Sequence, residues 1–464
     1  MDVLVIVLSL VLLIYLAYRG YSVIFFAPIL AVLAAVSQGL PLMPTYTELF
    51  MIKAAAYVKN FFPIFLLGAI FGKVMEESGM AKSIARSIIN SLGPKNAVLS
   101  TVLSAAILTY GGVSMFVVVF AVYPFAAALF REANIPKKLI PATIVLGAFT
   151  FTMDSLPGSP QIQNIIPANF FGTTIYSGPI LGVVISVIMM GSGMVWLTRR
   201  VNQARAAGEG YGQHTVNEQQ PTDTVLPPWQ ISVIPLLVVL VVNYVGNNLV
   251  TWNPDALAPI AAMKLPLAAG SIKSVISTWS LIVAVSCGIA VAGIISFPHM
   301  KKGGFSSAIS MGAAGSLLAI MTVASEVGYG NVIATLPGFK AIAGSMLGVH
   351  LGDNPLASMA VTINTICGIT GSASGGASIA LDLFSKHWLD WAQQVNMAPE
   401  TLHRFASIAS GGFDTGPHNG AIITLLAVCG LTHRQSYPDI FAMTLLKVAM
   451  VAIAFVFISV FGIA

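Results

Sequence analysis

Apolar runs of helix-spanning length, separated by short polar segments, recur along most of this chain. The clearest cover residues 3–17, 22–36, 54–74, 175–197, 231–250, 275–297, 305–324 and 440–461. A bilayer core needs about 20 mostly apolar residues to be crossed as a helix, so these runs predict transmembrane spans. Four other apolar stretches do not fit that template. Residues 97–109 and 113–130 are separated only by Gly111-Gly112, and residues 356–388 contain a glycine- and serine-rich tip at 371–376. Residues 139–167 and 402–431 are each interrupted by a polar segment containing Asp and Pro. The first pair predicts re-entrant hairpins and the second pair broken helices. Residues 80–92 carry Lys82 and Arg86 on one face of a helical pattern, which suits a helix lying in the membrane interface.

Charge adds direction. Charges gather at 73–77, 131–138 and 199–205, at Lys301-Lys302 and at His433-Arg434. Placing them on the cytoplasmic side leaves the amino terminus outside and Arg19 inside. Each half then makes five crossings, with one hairpin and one broken helix. An odd number of crossings per half makes the two repeats inverted. The first repeat covers 1–201 and the second 229–464, with hairpins at about 97–130 and 356–388. The segment 202–228, rich in polar residues and proline, reads as a cytoplasmic linker that is partly mobile. Both termini are expected outside. The run at 3–17 precedes its first cation, the reverse of a cleaved signal, so it is expected to be a retained span.

The duplication is also legible in the letters. Gly111-Gly112-Val113-Ser114 is followed 40 residues after its serine by Asp154-Ser155-Leu156-Pro157. Gly371-Ser372-Ala373-Ser374 is followed at the same distance by Asp414-Thr415-Gly416-Pro417, 260 positions on. Val74, Glu77, Gly79, Ile84 and Ala85 match Val323, Glu326, Gly328, Ile333 and Ala334 at a shift of 249. Such agreement in the order of unusual elements is the mark of an internal repeat.

Composition sharpens the class. Of 464 residues 56% are hydrophobic and 8% charged, against roughly a quarter charged in soluble domains. The net charge of +5 reflects the cytoplasmic loops and forms no basic stripe with interleaved aromatics, so nucleic acid is not an expected partner. Cys287, Cys367 and Cys429 stand alone in apolar sequence, with no metal or disulfide spacing. No cofactor is expected.

The interruptions carry the candidate chemistry. A helix broken at mid-membrane exposes backbone groups that only protein, water or solute can satisfy, and a restarting helix presents free N–H groups and a positive dipole end to an anion. Gly111, Gly112, Gly371 and Gly375 allow close backbone approach. Ser114, Ser155, Ser159, Ser372, Ser374 and Thr415 supply hydroxyls, and Gln161, Asn164 and Asn419 are candidates for substrate hydroxyls. His418 is a candidate for substrate binding or proton transfer. Gln161, Asn164 and Asn419 can instead satisfy broken backbone, and His418 can equally be structural. Asp154 and Asp414 are the candidate proton carriers, with Na⁺ ligation and helix capping as the alternatives. Glu77 and Glu326 are expected at the interface, and His350, His387 and His403 near helix ends. Few fixed cations are expected near the site, so backbone dipoles and hydroxyls would hold one carboxylate.

The run from Pro63 to Ser87, containing FLLGAIFGKVMEESGMAKSIARS, resembles the gluconate permease (GntP) family of bacterial carboxylate symporters, and the order of elements resembles it along the chain. The resemblance implies an inner-membrane, dimeric carrier with paired hairpins, working by an elevator motion and coupled to H⁺. At the first break the residues Thr152 to Pro160 depart from the His- and Pro-rich pattern of gluconate carriers. They look closer to the subgroup of carriers for 3-hydroxybutyrate and related hydroxy acids. The Ser-Asn-Thr tip of sodium-coupled dicarboxylate relatives is absent, which favours protons over Na⁺. The expectation is an all-α polytopic symporter for a short hydroxy-monocarboxylate, with gluconate, citrate or another carboxylate as the alternative substrate. An anion channel would need a continuous polar pore. A membrane-embedded enzyme would need more than Asp414 with His418.

Overall fold

The computed structural model describes residues 2–19, 21–113, 115–214, 226–263, 272–296, 304–417 and 419–462. Among these, every regular element is helical. The first half holds α1 (Asp2–Tyr18), α2 (Val23–Ser37), α3 (Met51–Glu77), α4 (Met80–Leu92), α5 (Ala97–Tyr110), α6 (Met115–Glu132), α7 (Ile140–Ala148), α8 (Ile162–Phe171) and α9 (Pro179–Ala206). The second half holds α10 (Ile234–Asn248), α11 (Ile276–Ser296), α12 (Gly304–Thr335), α13 (Pro337–Leu347), α14 (Leu356–Thr370), α15 (Ala373–Gln394), α16 (Pro399–Ser410), α17 (Gly420–Cys429) and α18 (His433–Phe461). The same succession runs through both halves: long spans, a short helix, a hairpin, a helix broken in two, and a last long span.

Six described helical stretches are long and apolar enough to cross a membrane, among them α9, α11, α12 and α18. Large apolar side chains such as Leu8, Val187, Leu237, Ile294, Leu318 and Val460 stay exposed along the spans. In a soluble protein a surface so apolar would be an association hazard; here it is the face that lipid covers. The broken helices α7–α8 and α16–α17 differ. Every residue of α7, and of α16 from Thr401 to Ser410, is buried, so protein, and not lipid, surrounds the interrupted backbone.

Two groups of helices follow from the packing. In one, α3 lies along α12, α12 along α2, and α10 along α11, which in turn meets α3. In the other, the hairpins α5–α6 and α14–α15 enclose α7, α8 and α16, with α9 and α18 packed together behind them. Hairpin tips need glycine: Gly112 has φ 92° and Gly371 φ 65°, values that a side chain with Cβ rarely adopts.

Several boundaries differ from the sequence reading. The span expected at 305–324 continues to Thr335 as α12, because no breaker occurs before Pro337, which begins α13 at its first turn. The span expected at 440–461 begins at His433, where Thr432 and Gln435 form a capping box. The helix at 80–92 has the expected bounds but packs against α5 and α6, with Met80, Ile84 and Ile89 buried. Ser114, His418, Lys301-Lys302 and the linker residues 215–225 lie outside the described residues.

Candidate functional site

The backbone between α7 and α8 makes one helical turn at Phe151–Asp154 and then runs without regular structure to α8. Its side chains close the gap. Ser159 Oγ donates to the Thr152 carbonyl over 2.5 Å, Thr152 Oγ1 to Gly147 O over 2.6 Å, and Asn164 Nδ2 to the carbonyls of Ser159 and Ile175. Gln161 Nε2 reaches the Thr109 carbonyl at the end of α5, over 2.7 Å. At the second break Asn419 Oδ1 caps the N–H groups of Ala421 and Ile422, and its Nδ2 donates to Asp414 O. Gln161, Asn164 and Asn419 therefore take up broken backbone, the structural one of their two expected roles, and Ser159 does so too.

The two aspartates meet at one lysine. Lys447, on α18, places Nζ 2.6 Å from Asp414 Oδ1 and 3.7 Å from Asp154 Oδ2, and donates to the Phe149 carbonyl over 2.7 Å. All three ionisable side chains are buried: Asp154 4%, Asp414 2% and Lys447 3% exposed. Ser155 Oγ donates to Asp154 Oδ1 over 2.7 Å, and Thr415 Oγ1 exchanges a hydrogen bond with Thr444 Oγ1 on α18. Ser407 Oγ on α16 donates to the Asp154 carbonyl over 2.6 Å, tying the second broken helix to the first break.

A second buried cation stands nearby. Arg404, fully buried on α16, donates through Nε to Ser177 O, through Nη2 to Ile175 O and through Nη1 to Asn164 Oδ1. His403 joins the same asparagine through Nε2 and Thr173 through Nδ1. Asn164 thus gathers the carbonyls of its own half and two cation-capable side chains of the other. The expectation of few fixed cations is corrected: Lys447 and Arg404 both lie in the region of the breaks. His403, expected near a helix end, is fully buried. Both cations had a sequence signal, a lone Lys or Arg inside an apolar helix, which by itself marks a functional candidate.

Close approach explains two glycines at the site. A Cβ on Gly411 would run into Asp154 Oδ2, and one on Gly412 into Asn364 Oδ1 of α14. The first break, the second break and the second hairpin therefore meet without intervening side chains. The first hairpin tip lies between the first break and α10: Gly111 faces Leu236 of α10, and Gly112 faces Pro160 and Val239. At the second tip Ser372 Oγ caps Gly375 N–H over 3.1 Å and lies 3.4 Å from Ser374 Oγ. Glu326, expected at the interface, is inside α12 and 6% exposed, beside Ser372. The helix runs past it because α12 continues eleven residues beyond the end of the run at 305–324.

Paired hairpins, two broken helices and buried charges at the breaks define a polytopic membrane transporter. The chain belongs to the GntP permease family, whose model matches residues 1–336. It is 46% identical over 466 residues to the uncharacterized transporter YxjC of Bacillus subtilis, covering 97% of each chain. An 82-residue stretch is 38% identical to an uncharacterized transporter of Haemophilus influenzae, over 18% of this chain and 20% of that one. In fold it is similar to the YdaH transporter of Alcanivorax borkumensis (TM-score 0.52, 15% identity, 93% of this chain and 95% of that one). It is similar also to MtrF of Neisseria gonorrhoeae (TM-score 0.51, 14% identity, 93% and 92%). The relatives are transporters, and the chain is not an enzyme.

Proposed function

We propose that this permease imports a short hydroxy-monocarboxylate, of which 3-hydroxybutyrate is the model, by symport with protons. The observation that carries the reading is Lys447 held between Asp414 and Asp154. Two carboxylates and one ammonium leave that trio with one negative charge. A proton on either aspartate frees the lysine from part of its counter-charge, and a substrate carboxylate restores it. Entry of one proton with one anion leaves the charge of the trio unchanged; entry of either alone alters it in a low-dielectric interior, where such a change is costly. Coupling follows from that cost. A substrate with one carboxylate matches one released cation, because Arg404 is already committed to two carbonyls and Asn164.

In this reading the halves are inverted repeats, with the linker in the cytoplasm. The hairpins and broken helices move together against the group built on α3 and α12. Gly111, Gly112, Gly371, Ser372, Ser374 and Gly375 line the approach from the tips, and Ser114 is a candidate by its sequence position alone. Ser155 and Thr415 flank the aspartates, His418 is a candidate by its sequence position alone, and the working unit is a homodimer in the bacterial inner membrane. Proteoliposomes given labelled 3-hydroxybutyrate test this. Uptake should rise when the outside is made acid relative to the lumen, and should collapse when an ionophore dissipates the gradient. Uptake that follows a Na⁺ gradient at constant pH would move the coupling to Na⁺, and flux indifferent to both gradients would mark a channel.

A further inference from the structure

Glu326 is a buried carboxylate that the coupling trio does not use. It sits on α12, the central helix of the α3–α12 pair, where that pair meets the second hairpin. Its Oε2 is buried with no hydrogen-bond partner. Two more buried oxygens around it are also unpartnered: Tyr57 Oη on α3 and Ser378 Oγ on α15. Tyr57 lies beside Ser374 and Ser378 and within electrostatic range of Glu326. A Cβ on Gly375 would collide with Glu326 Oε2, so the carboxylate lies against the first turn of α15. Three orphaned oxygens from three helices, one of them a carboxylate's, are rare in a folded interior unless something binds there.

We propose that Glu326 is a second proton-binding site, placed where the second hairpin leans on the α3–α12 pair. A proton needs one acceptor, and Ser372 Oγ beside the carboxylate offers one. A metal cation would need several oxygens and would face the positive end of α15. The ionised carboxylate, by contrast, is attracted to that end and holds the hairpin tip against α12. The proton, passing from water to Oε2, removes the attraction and loosens the tip.

Among the described residues no ion pair joins the carboxylate. On α3 and α15 the adjacent ionisable groups are Tyr57 and the Lys53–Asp382 pair, one turn along each helix, which bridge each other over 3.1 Å. On α14, Cys367 lies within electrostatic range of both Glu326 and the Asp414–Lys447 pair. α2 has no titratable residue, the segment at 45–50 has exposed Tyr46 and Glu48, and α13 carries Lys340. On α12 itself, Tyr329 is hydrogen-bonded to Ser9 over 3.0 Å.

The proposal deepens the symport reading, but its test does not depend on any substrate. Infrared difference spectra of the purified full-length protein, titrated from alkaline to acid buffer without substrate, should show a carbonyl band of a protonated carboxyl that shifts on deuteration. One component of the band should vanish in Glu326→Gln and persist in Asp154→Asn and in Asp414→Asn. In Tyr57→Phe, which keeps the ring and removes the hydroxyl, it should shift in frequency, and this variant reads the site even where Glu326→Gln fails to fold. A band unchanged by Glu326→Gln or by Tyr57→Phe would overturn the proposal. So would a band that saturating Na⁺ abolishes at constant pH, since the site would then hold the metal. Failure of 3-hydroxybutyrate uptake with the band intact would sink the substrate reading and leave this site standing.

Discussion

Lys447 donates to Asp414 across 2.6 Å although the two residues are 33 positions apart on different elements. The last span supplies the cation and the second break supplies the anion, while Asp154 of the first half stands 3.7 Å from the same nitrogen. Neither aspartate alone accounts for the lysine; the two halves meet through it.

Removing that cation should be costly. Lys447→Met leaves two buried carboxylates without their shared counter-ion, and breaking such a pair costs about 3–5 kcal/mol. Thermal unfolding in detergent should show a large drop for Lys447→Met and partial recovery in Lys447→Met/Asp414→Asn. Neither variant should concentrate substrate in proteoliposomes. Equal melting of all three proteins would show that the trio is not held by charge.

The aspartates should differ in degree. Asp414 makes the short contact and Asp154 the long one, so Asp414→Asn should reduce proton-driven uptake more than Asp154→Asn. An amide cannot gain and lose the proton, so the surviving exchange of labelled for unlabelled substrate should no longer respond to pH in the more affected variant. Wild-type pH dependence in both variants would leave helix capping as the role of these residues.

Asn164→Leu tests the other charge centre. The substitution strips the side-chain acceptor from Arg404 Nη1 and His403 Nε2 and the donor from the Ser159 and Ile175 carbonyls. A lost hydrogen bond to a buried charged group costs about 1.5–3 kcal/mol. A clear fall in melting temperature is expected, together with lost uptake. Unchanged stability would mean that Arg404 has another way to be satisfied.

Gly411→Ala adds one methyl group where Asp154 Oδ2 now lies. The neighbours must shift, and a displacement of about 1 Å at a reacting group can cost on the order of a hundredfold in rate. Uptake by Gly411→Ala should fall steeply, while Gly420→Ala, which would add its Cβ in open space, serves as the folding control. Equal uptake by the two variants would argue that the breaks do not need this close approach.

Much of the architecture was legible because breakers are local. Gly111-Gly112, Gly371 to Gly376, Asp154 to Pro160 and Asp414 to Pro417 announce their turns without knowledge of distant contacts, and α4 matches its expected bounds at both ends. Lys447, Arg404 and Glu326 were harder for the opposite reason. Each sits inside a regular helix whose letters otherwise read as lipid-facing or interfacial, and its role depends on a partner from another part of the chain. Arg404 needs Asn164, 240 positions away. Similarly, the hydroxyls and amides of the breaks look like ligands for solute in sequence. In three dimensions Asn164, Gln161 and Asn419 face carbonyls and N–H groups that the breaks themselves leave open.

The central claim is that one proton and one anion enter together because Lys447 lies between two carboxylates. The direct measurement is a coupling ratio: proteoliposomes loaded with a pH-sensitive dye, with labelled 3-hydroxybutyrate and proton entry recorded in the same sample. The account predicts a ratio of about one proton per anion, set by the charge conservation argued for the trio, and no coupled proton entry in Asp414→Asn. Substrate accumulation without proton entry, or the same ratio in Asp414→Asn as in the unmodified protein, would contradict it.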